Sequence, residues 1–236
     1  RGHQGHAATE TCPGHSTILT GSRPSRTGIV ANDWQDPNLP RPTAKGGVSY
    51  DIYCAEKPQG TATNFMASGG YVVSPHFLKV PTLGDRMKAA NPAARVLSVS
   101  GKDRGAVMMG GHNSDLTMWW DGKGFTTYAD RLASLPAGIA SLNVRATKAI
   151  AKPKPIGLPA RCTRLSQAVP LDKYGDVGVL KLRKAGDASR WRATPEFDSM
   201  TLDAALTAVD TMKLGQGSAT DLLAISFSAT DYVGHS

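Results

Sequence analysis

The stretch ARVLSVSGKDRGAVMMGG, residues 94–111, contains the segment that decides the fold. Its first run, Val96 to Val99, is apolar enough for a strand buried on both faces, which is typical of a parallel sheet. Residues 101–104 then introduce glycine and three charges, which interrupt the apolar run. The residues after the interruption, 105–111, predict a second β-like run. The stretch therefore predicts a sheet in which charged residues lie at the end of a buried strand.

Predicted helices and strands alternate along the rest of the chain. A segment rich in Gly, Pro, Ser and Thr, residues 22–80, reads as loops with short strands and precedes the regular elements. Such alternation indicates an α/β fold with a central, mostly parallel sheet flanked by helices. The predicted strands are residues 48–53, 71–74 and 222–227, and the predicted helices are residues 80–92, 199–215 and two pieces of 125–144 split near Pro136.

The charge balance is basic and uneven. The 236 residues include 27 Lys and Arg against 19 Asp and Glu, and twelve of the basic residues but only three acids fall within residues 145–192. A basic segment indicates an anionic partner, either a phosphate-bearing substrate or a nucleic acid, although a solvated surface segment has the same composition. Aromatic residues are not interleaved with these charges, so a nucleic-acid partner is not expected. No uncharged apolar run reaches the roughly 18 residues of a membrane span.

The chain begins at Arg1, which indicates a processed protein or a fragment. Its three cysteines, Cys12, Cys54 and Cys162, form neither a CxxC motif nor a zinc-finger spacing. Two alternatives stay open at this point: a Cys54–Cys162 disulfide in an oxidising compartment, or three free buried thiols.

A hydroxyl, a Pro-Gly pair and a histidine are close together in ATETCPGHSTILTG, residues 7–20. Pro13 suits the first position of a helix, and Gly21 suits its end. Thr11 is then predicted just outside the helix, near backbone N–H groups and the positive end of the helix dipole. Its hydroxyl could attack an anionic substrate there, or it could be an ordinary N-cap.

Two further segments carry groups that can bind an anion. Lys102 and Arg104 flank Asp103 after the buried strand, and positions i and i+2 of an extended chain point to one face. Both cations can therefore approach one phosphate, although a pair of surface cations beside a turn has the same pattern. In GIVANDWQD, residues 28–36, the Asn32 amide could donate to an oxyanion, whereas Asn-Asp is also a common turn pair.

A carboxylate and an imidazole follow the last predicted strand. Asp231 and His235 are four residues apart, beyond the carboxyl end of the strand, which is where ligands bind in open α/β sheets. The two side chains can converge on one zinc ion. A lone D-x-x-x-H pattern is common by chance, so its position after the strand carries the prediction.

Four blocks of sequence resemble a known family. The pattern T-x-P-G-H-x-x-x-x-T-G at 11–21, followed by G-I-V-x-N-D-W at 28–34, resembles the nucleophile region of the alkaline phosphatase superfamily, in its threonine-nucleophile branch. That branch also includes nucleotide pyrophosphatases/phosphodiesterases. SGKDRGAVMMGGH (100–112), with MWWDGKGFTT after it, is similar to the Lys/Arg segment of bacterial periplasmic zinc alkaline phosphatases. TDLLAISFSATDYVGHS (220–236) is similar to a zinc-ligand strand of the same family.

The resemblance implies roles for six residues. It selects Thr11, rather than Thr9, as the nucleophile and one metal ligand. It implies that Asn32, Lys102 and Arg104 bind the phosphate, and that Asp231 and His235 bind metal. The family holds two zinc ions, and the remaining ligands, an upstream Asp, a later Asp-His pair and a final His, have no matching positions here. His3 and His6 receive no ligand role, and His15 is expected to be structural.

The resulting hypothesis is a zinc-dependent phosphomonoester hydrolase that acts through a phospho-threonine intermediate on small phosphomonoesters. Residues 1–236 are predicted to form part of an alkaline-phosphatase-like catalytic domain, incomplete in this chain, with a basic insertion at about 105–195. The resemblance implies a periplasmic or secreted protein, and a monomer is expected. The alternatives are a phosphodiesterase or nucleotide pyrophosphatase of the same superfamily, a non-catalytic basic fragment that binds phosphate or nucleic acid, and an inactive fragment.

Overall fold

The computed structural model describes residues 5–7, 9–43, 46–58, 71–172, 175–180 and 183–235. The helices are α1 (Thr11–Thr20), α2 (Pro24–Thr27), α3 (Leu83–Ala90), α4 (Asp103–Gly110), α5 (Gly138–Ala151), α6 (Ala160–Thr163), α7 (Ala188–Trp191), α8 (Pro195–Met212) and α9 (Ala229–Gly234), with a 3-10 helix at Ala129–Ser134. The strands are β1 (Asp33–Gln35), β2 (Arg41–Pro42), β3 (Val48–Ser49), β4 (Asp51–Tyr53), β5 (Glu56–Lys57), β6 (Val72–Val73), β7 (Val96–Ser100), β8 (Leu116–Trp120), β9 (Phe125–Thr126), β10 (Val169–Leu171), β11 (Gly175–Val177) and β12 (Leu222–Ser226).

A four-stranded sheet with the order β12-β7-β8-β9 forms the centre of the described fold. β7 pairs in parallel with β12 and with β8, and only β9 runs antiparallel. The parallel register places Ser226 beside Ser100, so β12 and β7 end together. The predicted α/β fold with a mostly parallel central sheet is therefore confirmed.

The sheet separates two apolar layers. Side chains alternate across β8, so Met118 and Trp120 pack on one side while Trp119 packs on the other. The first layer lies under α5 and α8 and includes the buried aromatic rings Trp191 and Phe197. The second lies under α4, which in turn packs against α1. Helices thus cover both faces, as a parallel sheet requires.

The residues after the first strand fold differently from the prediction. Residues 105–111 were expected to be β-like, but they belong to α4 and its C-terminal glycine. Nearly every residue of α4 is buried, so the segment lacks the polar stripe that marks a surface helix, and a short apolar run suits a buried helix or strand equally. The β-like prediction for residues 105–111 is therefore wrong.

The other predicted elements are found with shifted ends. α3 lies within predicted residues 80–92, β12 within 222–227, and α8 begins four residues before the expected Ser199. Of the two helical pieces expected in 125–144, the first is the 3-10 helix and the second is α5. β3, β4 and β6 occupy the regions predicted as short strands.

The cysteines pair in a way that neither sequence alternative included. Cys12 and Cys54 form a disulfide, and Cys162 is free and partly buried. The Cys54–Cys162 bridge and the three free buried thiols are therefore both wrong. Spacing along the chain says nothing of this pairing, because the fold brings α1 against the segment after β4.

The predicted basic insertion at about 105–195 stays a prediction, but its first residues build the central layers. Residues 105–120 form most of α4 and all of β8, which belongs to the four-stranded sheet. Among the described residues, no helix combines the length and apolarity needed to cross a bilayer.

Candidate active site

The candidate site lies at the carboxyl end of two parallel strands. β7 ends at Ser100 and β12 at Ser226, and each is followed within a few residues by a short helix that carries charged side chains. Ligands bind at this edge of open parallel sheets, because the connecting segments converge there. α4 contributes Arg104, with Lys102 as its N-cap, and α9 contributes Asp231.

Thr11 is the first residue of α1 rather than a residue outside it. Glu10 is the N-cap, and no side chain caps this helix end. Pro13 is therefore the third helical residue, and the interpretation of Thr11 as a capping threonine is wrong. A partly buried hydroxyl at the first position of a helix is next to backbone N–H groups that have no partner within the helix. Gly21 ends the helix in a left-handed conformation, as expected.

Asn32 is held by three hydrogen bonds, two to the start of α1 and one to Cys54. Its side-chain oxygen accepts from the backbone N–H of Cys12 at 2.9 Å, and its carbonyl accepts from Cys54 N–H at 2.9 Å. Its own backbone N–H donates to Glu10 Oε2 at 2.6 Å. Because the amide oxygen is occupied by Cys12, the NH₂ end of the Asn32 amide is the one that can donate to a ligand.

His15 links α1 to the strand edge. Its Nδ1 lies 2.7 Å from the carbonyl oxygen of Thr11, and its Nε2 lies 2.8 Å from Ser226 Oγ. Nδ1–H donates to the carbonyl, so Nε2 of the neutral ring accepts from the serine hydroxyl. Burial lowers the pKa of His15, which keeps this neutral form at pH 7. His15 has structural contacts in this arrangement, in keeping with the expected structural role.

Lys102 and Asp231 form a short ion pair that joins α4 to α9. Lys102 is 7 % exposed, and its Nζ also lies 4.8 Å from the centre of the Tyr232 ring. Burial lowers the pKa of Lys102 despite the neighbouring carboxylate. Partial burial opposes ionisation of Asp231, but the ammonium group holds its pKa below the usual range. The Asp231 carboxyl is therefore ionised near neutral pH.

Arg104 occupies the second position of α4 and not an extended segment. The expectation that Lys102 and Arg104 share a face of an extended chain is wrong, because the helix begins at Asp103. The two cations nevertheless line the same cleft. The intervening Asp103 also lines the cleft and accepts hydrogen bonds from Tyr53 OH at 2.7 Å and Tyr71 OH at 2.5 Å.

Asp231 and His235 are close enough to share a metal ion. They are four residues apart at the end of α9, and Asp231 Oδ1 lies 3.7 Å from His235 Nε2. Ligands about 2.0–2.2 Å from a tetrahedral zinc are roughly 3.3–3.6 Å from each other, and carboxylate plus imidazole is a zinc-binding donor set. The pair therefore fits zinc as two ligands. Within the part of the chain that the structure describes, no third His, Cys, Asp or Glu completes such a group.

A cleft of about 640 Å³ opens beside the charged residues. Lys102 and Arg104 line it, whereas Thr11 and Asn32 do not. The structure therefore assembles the predicted residues as two groups. Thr11 with Asn32 at the start of α1 is one, and Lys102 with Arg104, Asp231 and His235 at the sheet edge is the other. The His15 bridge and the packing of α1 on α4 connect them.

Several residues of this region were not predicted from sequence. Ser226 holds His15, Tyr232 faces Lys102, and Arg192 stacks on Tyr232 with Cζ 4.6 Å from the ring centre. The one available signal was the basic composition of residues 145–192, which ends with Arg192. Nothing in the local sequence indicates that a residue after α7 returns to the sheet edge.

The fold and these motifs define a phosphoester-processing family. The family described as Type I phosphodiesterase / nucleotide pyrophosphatase matches residues 3–236. The chain belongs to this family.

Individual relatives are alkaline phosphatases. The chain is 44% identical to the alkaline phosphatase PhoD of Zymomonas mobilis over 234 residues, and 48% identical to PhoK of Sphingomonas sp over 239 residues. These matches cover 99% and 100% of the chain, but only 39% and 40% of the relatives' lengths.

Two solved structures have the same fold. The crystal structure of the alkaline phosphatase PafA matches with a TM-score of 0.74 at 28% identity, over 98% of this chain and 45% of that one. A PafA variant with a Thr, an Asn, a Lys and an Arg replaced matches with a TM-score of 0.74 at 26% identity, over 99% of this chain and 46% of that one. The resemblance to the alkaline phosphatase superfamily is therefore confirmed.

Proposed function

We propose that the chain supplies the nucleophile and phosphate-binding residues of a zinc-dependent phosphomonoester hydrolase, an alkaline phosphatase. The observation that carries the proposal is the convergence of Lys102 and Arg104 with the Asp231–His235 pair at the carboxyl edge of β7 and β12. A threonine at a helix start, tied to this edge through His15, provides the attacking hydroxyl. Small phosphomonoesters are the proposed substrates.

The PafA variant supports these assignments. Its replaced Thr and Asn are 21 positions apart and its replaced Lys and Arg are two positions apart. Thr11 and Asn32, and Lys102 and Arg104, have the same residue types at the same two spacings. Four residues that were replaced together in an alkaline phosphatase thus have counterparts here at the two ends of the candidate site.

In the proposed reaction, the Thr11 hydroxyl attacks phosphorus in line with the leaving alcohol. The new bond joins Thr11 Oγ1 to phosphorus while the phosphorus–oxygen bond to the alcohol breaks, and water later hydrolyses the phospho-threonine. The positive end of the α1 dipole, the Asn32 amide and the cations Lys102 and Arg104 stabilise negative charge on the non-bridging oxygens. Zinc, when bound with Asp231 and His235 among its ligands, supplies the chemistry that lowers the pKa of a hydroxyl.

The test uses Thr11→Ala in the full-length protein, with exposed Thr9→Ala as the matched control. We expect Thr11→Ala to lower kcat by several orders of magnitude and to abolish radiolabelled phospho-enzyme trapped by acid, because covalent catalysis is lost. Thr9→Ala should keep both. A phospho-enzyme that survives in Thr11→Ala would show that another residue is the nucleophile.

The second candidate function is phosphodiester hydrolysis, which the name of the family includes. The Lys102–Arg104 pair favours a monoester, because a monoester dianion has one more non-bridging oxygen to neutralise than a diester. Each charge-assisted contact is worth roughly 1.5–3 kcal/mol, so Lys102→Ala/Arg104→Ala should reduce monoester hydrolysis about 10²–10⁴-fold more than diester hydrolysis. The measurement is kcat/KM for matched aryl monoester and methyl-aryl diester substrates. Equal losses on both would show that the pair attracts anions generally and does not select a monoester.

Measuring substrate hydrolysis distinguishes the proposed enzyme from a non-catalytic fragment that only binds phosphate. Hydrolysis of p-nitrophenyl phosphate that stops with a chelator and returns with zinc would exclude it, and binding without turnover would support it.

We further propose a periplasmic or secreted location and a monomer. The Cys12–Cys54 disulfide supports the location, because disulfides persist in oxidising compartments.

A further inference from the structure

The cleft beside Lys102 carries more positive charge than one phosphoryl group requires. Four cationic side chains line it, against two carboxylates. Asp103 is already satisfied by two tyrosine hydroxyls, and Asp121 accepts from the backbone N–H groups of Lys123 and Gly124. Lys102 and Arg104 are assigned to the phosphoryl group above. The other two cations, Arg192 and Lys123, have no role in that reaction.

The Arg192 guanidinium has hydrogen-bond donors that a ligand could use. It follows α7, is partly buried, and donates from Nη1 to Tyr232 OH at 3.2 Å while its guanidinium stacks on the same ring. A guanidinium has five N–H donors, and acceptors in the described part of the chain take one of them. Stacking on Tyr232 fixes the plane of the group, which lowers the entropy cost of a two-point contact with an anion. The Arg192 guanidinium is therefore oriented to bind an anionic ligand.

Arg192 lies close to Lys102, one of the two cations assigned to the phosphoryl group. Lys102 Nζ and Arg192 Cζ lie 4.8 Å and 4.6 Å from the centre of the same Tyr232 ring, so they are at most 9.4 Å apart. With covalent bonds of about 1.5 Å, two phosphates joined by a few carbon atoms span such a distance. Lys123 is exposed, lines the same cleft and has no ion-pair partner among the described residues.

We propose that Arg192, assisted by Lys123, binds a second phosphate group carried by the leaving alcohol. The substrate class is then a bisphosphorylated small molecule, in which one phosphate is transferred while the other occupies the cleft. This inference rests on the proposed function and specifies its substrate. It also gives a role to one residue of the basic segment 145–192, whereas Arg183 of that segment is used in the fold through the carbonyls of Ala149 and Ile150.

The experiment compares propane-1,3-diol bisphosphate with 3-hydroxypropyl phosphate, two substrates that differ only in the second phosphate. In the full-length protein, kcat/KM should favour the bisphosphate by roughly ten- to a hundredfold, the value of one charge-assisted contact. Arg192→Gln should bring the ratio close to the twofold expected from two equivalent phosphates. Arg192→Lys should keep part of the preference, because charge remains while the planar two-point contact is lost.

Arg190→Gln is the matched control, since Arg190 lies on α7 and contacts Asp187 rather than the cleft. It should retain the full preference. A wild-type ratio near two, or an equal loss on both substrates in Arg192→Gln, would overturn the proposal. If free inorganic phosphate inhibits noncompetitively and Arg192→Gln removes only that inhibition, the cleft binds a separate anion and the substrate assignment is wrong.

Binding measured in Thr11→Ala separates this proposal from the proposed function. Calorimetry should show tighter binding of the bisphosphate than of the monophosphate, and Arg192→Gln should remove the difference. This result would support the second phosphate site even if no hydrolysis were found, whereas equal affinities would overturn it.

Discussion

Asn32 lies between the two disulfide-bonded cysteines in space, although it is 20 residues from Cys12 along the chain. One cysteine N–H donates to its side chain and the other to its carbonyl. The local pattern Asn-Asp suggested a turn or an oxyanion contact, and only the neighbouring backbone groups decide how the amide is oriented. A fixed amide whose NH₂ end is free to donate is the arrangement that stabilises developing negative charge without reorganisation.

The variant Asn32→Asp tests the donor role of this amide separately from its acceptor role. The carboxylate still accepts from Cys12 N–H, but it cannot donate and it adds a negative charge beside the substrate. We expect kcat/KM for a phosphomonoester to fall by about 10²–10³ or more with little loss of stability. The measurements are steady-state kinetics and thermal unfolding.

Asn32→Ala is the companion variant. It should lose similar activity and, in addition, about 1–2 kcal/mol of stability, because the Cys12 N–H is left without its acceptor. An Asn32→Asp protein with activity within a few-fold of wild type would contradict the donor role.

At the scale of elements, α3 shows how a local motif also secures tertiary structure. Thr82 and Asp85 form a capping box at its start, the arrangement that best marks a helix beginning in a sequence. Asp85 reaches further, because its Oδ1 accepts from the backbone N–H groups of His112 at 3.0 Å and Asn113 at 2.8 Å. One carboxylate therefore caps α3 and holds the turn between α4 and β8.

Asp85→Asn should destabilise the protein in a pH-dependent way. Burial opposes ionisation of Asp85, but the N–H groups of Thr82, Asn113 and His112 outweigh it and hold its pKa below the ordinary value. Stabilisation from a depressed carboxyl pKa is present above the unfolded pKa near 3.9 and is lost as pH falls through the folded pKa. We expect a loss of about 1–3 kcal/mol at neutral pH that shrinks below about pH 4.

Chemical unfolding over a series of pH values measures this effect. Asp130→Asn, which alters an exposed carboxylate on the 3-10 helix, is the control and should change stability little. A difference between Asp85→Asn and wild type that stayed constant down to pH 3 would contradict the argument.

At the scale of the whole molecule, the Cys12–Cys54 disulfide joins α1 to the segment that follows the two-stranded β1–β4 sheet. It closes a loop with a sequence separation of 42 residues, and a bridge of this size restricts the unfolded chain. Because Cys12 follows Thr11 directly and both cysteines contact Asn32, the bridge also connects global stability to the candidate site.

Replacing both cysteines by serine should lower the free energy of unfolding by about 2–4 kcal/mol. Activity should fall as well, because Asn32 loses part of its support. The measurement is denaturant unfolding and kinetics with and without reductant, and Cys162→Ser serves as the control that leaves the bridge intact. Identical unfolding midpoints for the double variant and the wild type would show that the bridge contributes nothing.

Individual helices and strands show which parts of the fold could be predicted from the sequence. β7 could be predicted because three of the four positions from Val96 to Val99 are apolar, and α3 because its cap and its Pro92 boundary are local signals. α4 could not, because a helix buried on nearly all sides has no polar stripe, so its period is hidden. The helix start at Thr11 was missed because Pro13 suits the first helical position and equally fits the first turn.

For this protein, the sequence by itself determined the α/β class, the family and the six candidate residues, because apolar runs and short motifs are local properties. Only the tertiary structure decided the Cys12–Cys54 pairing, the orientation of Asn32 and the arrival of Arg192 beside Tyr232. Each of these joins segments that are distant along the chain. Whether such segments meet in space depends on how the helices pack on the sheet. That packing is a property of the whole core rather than of any one segment.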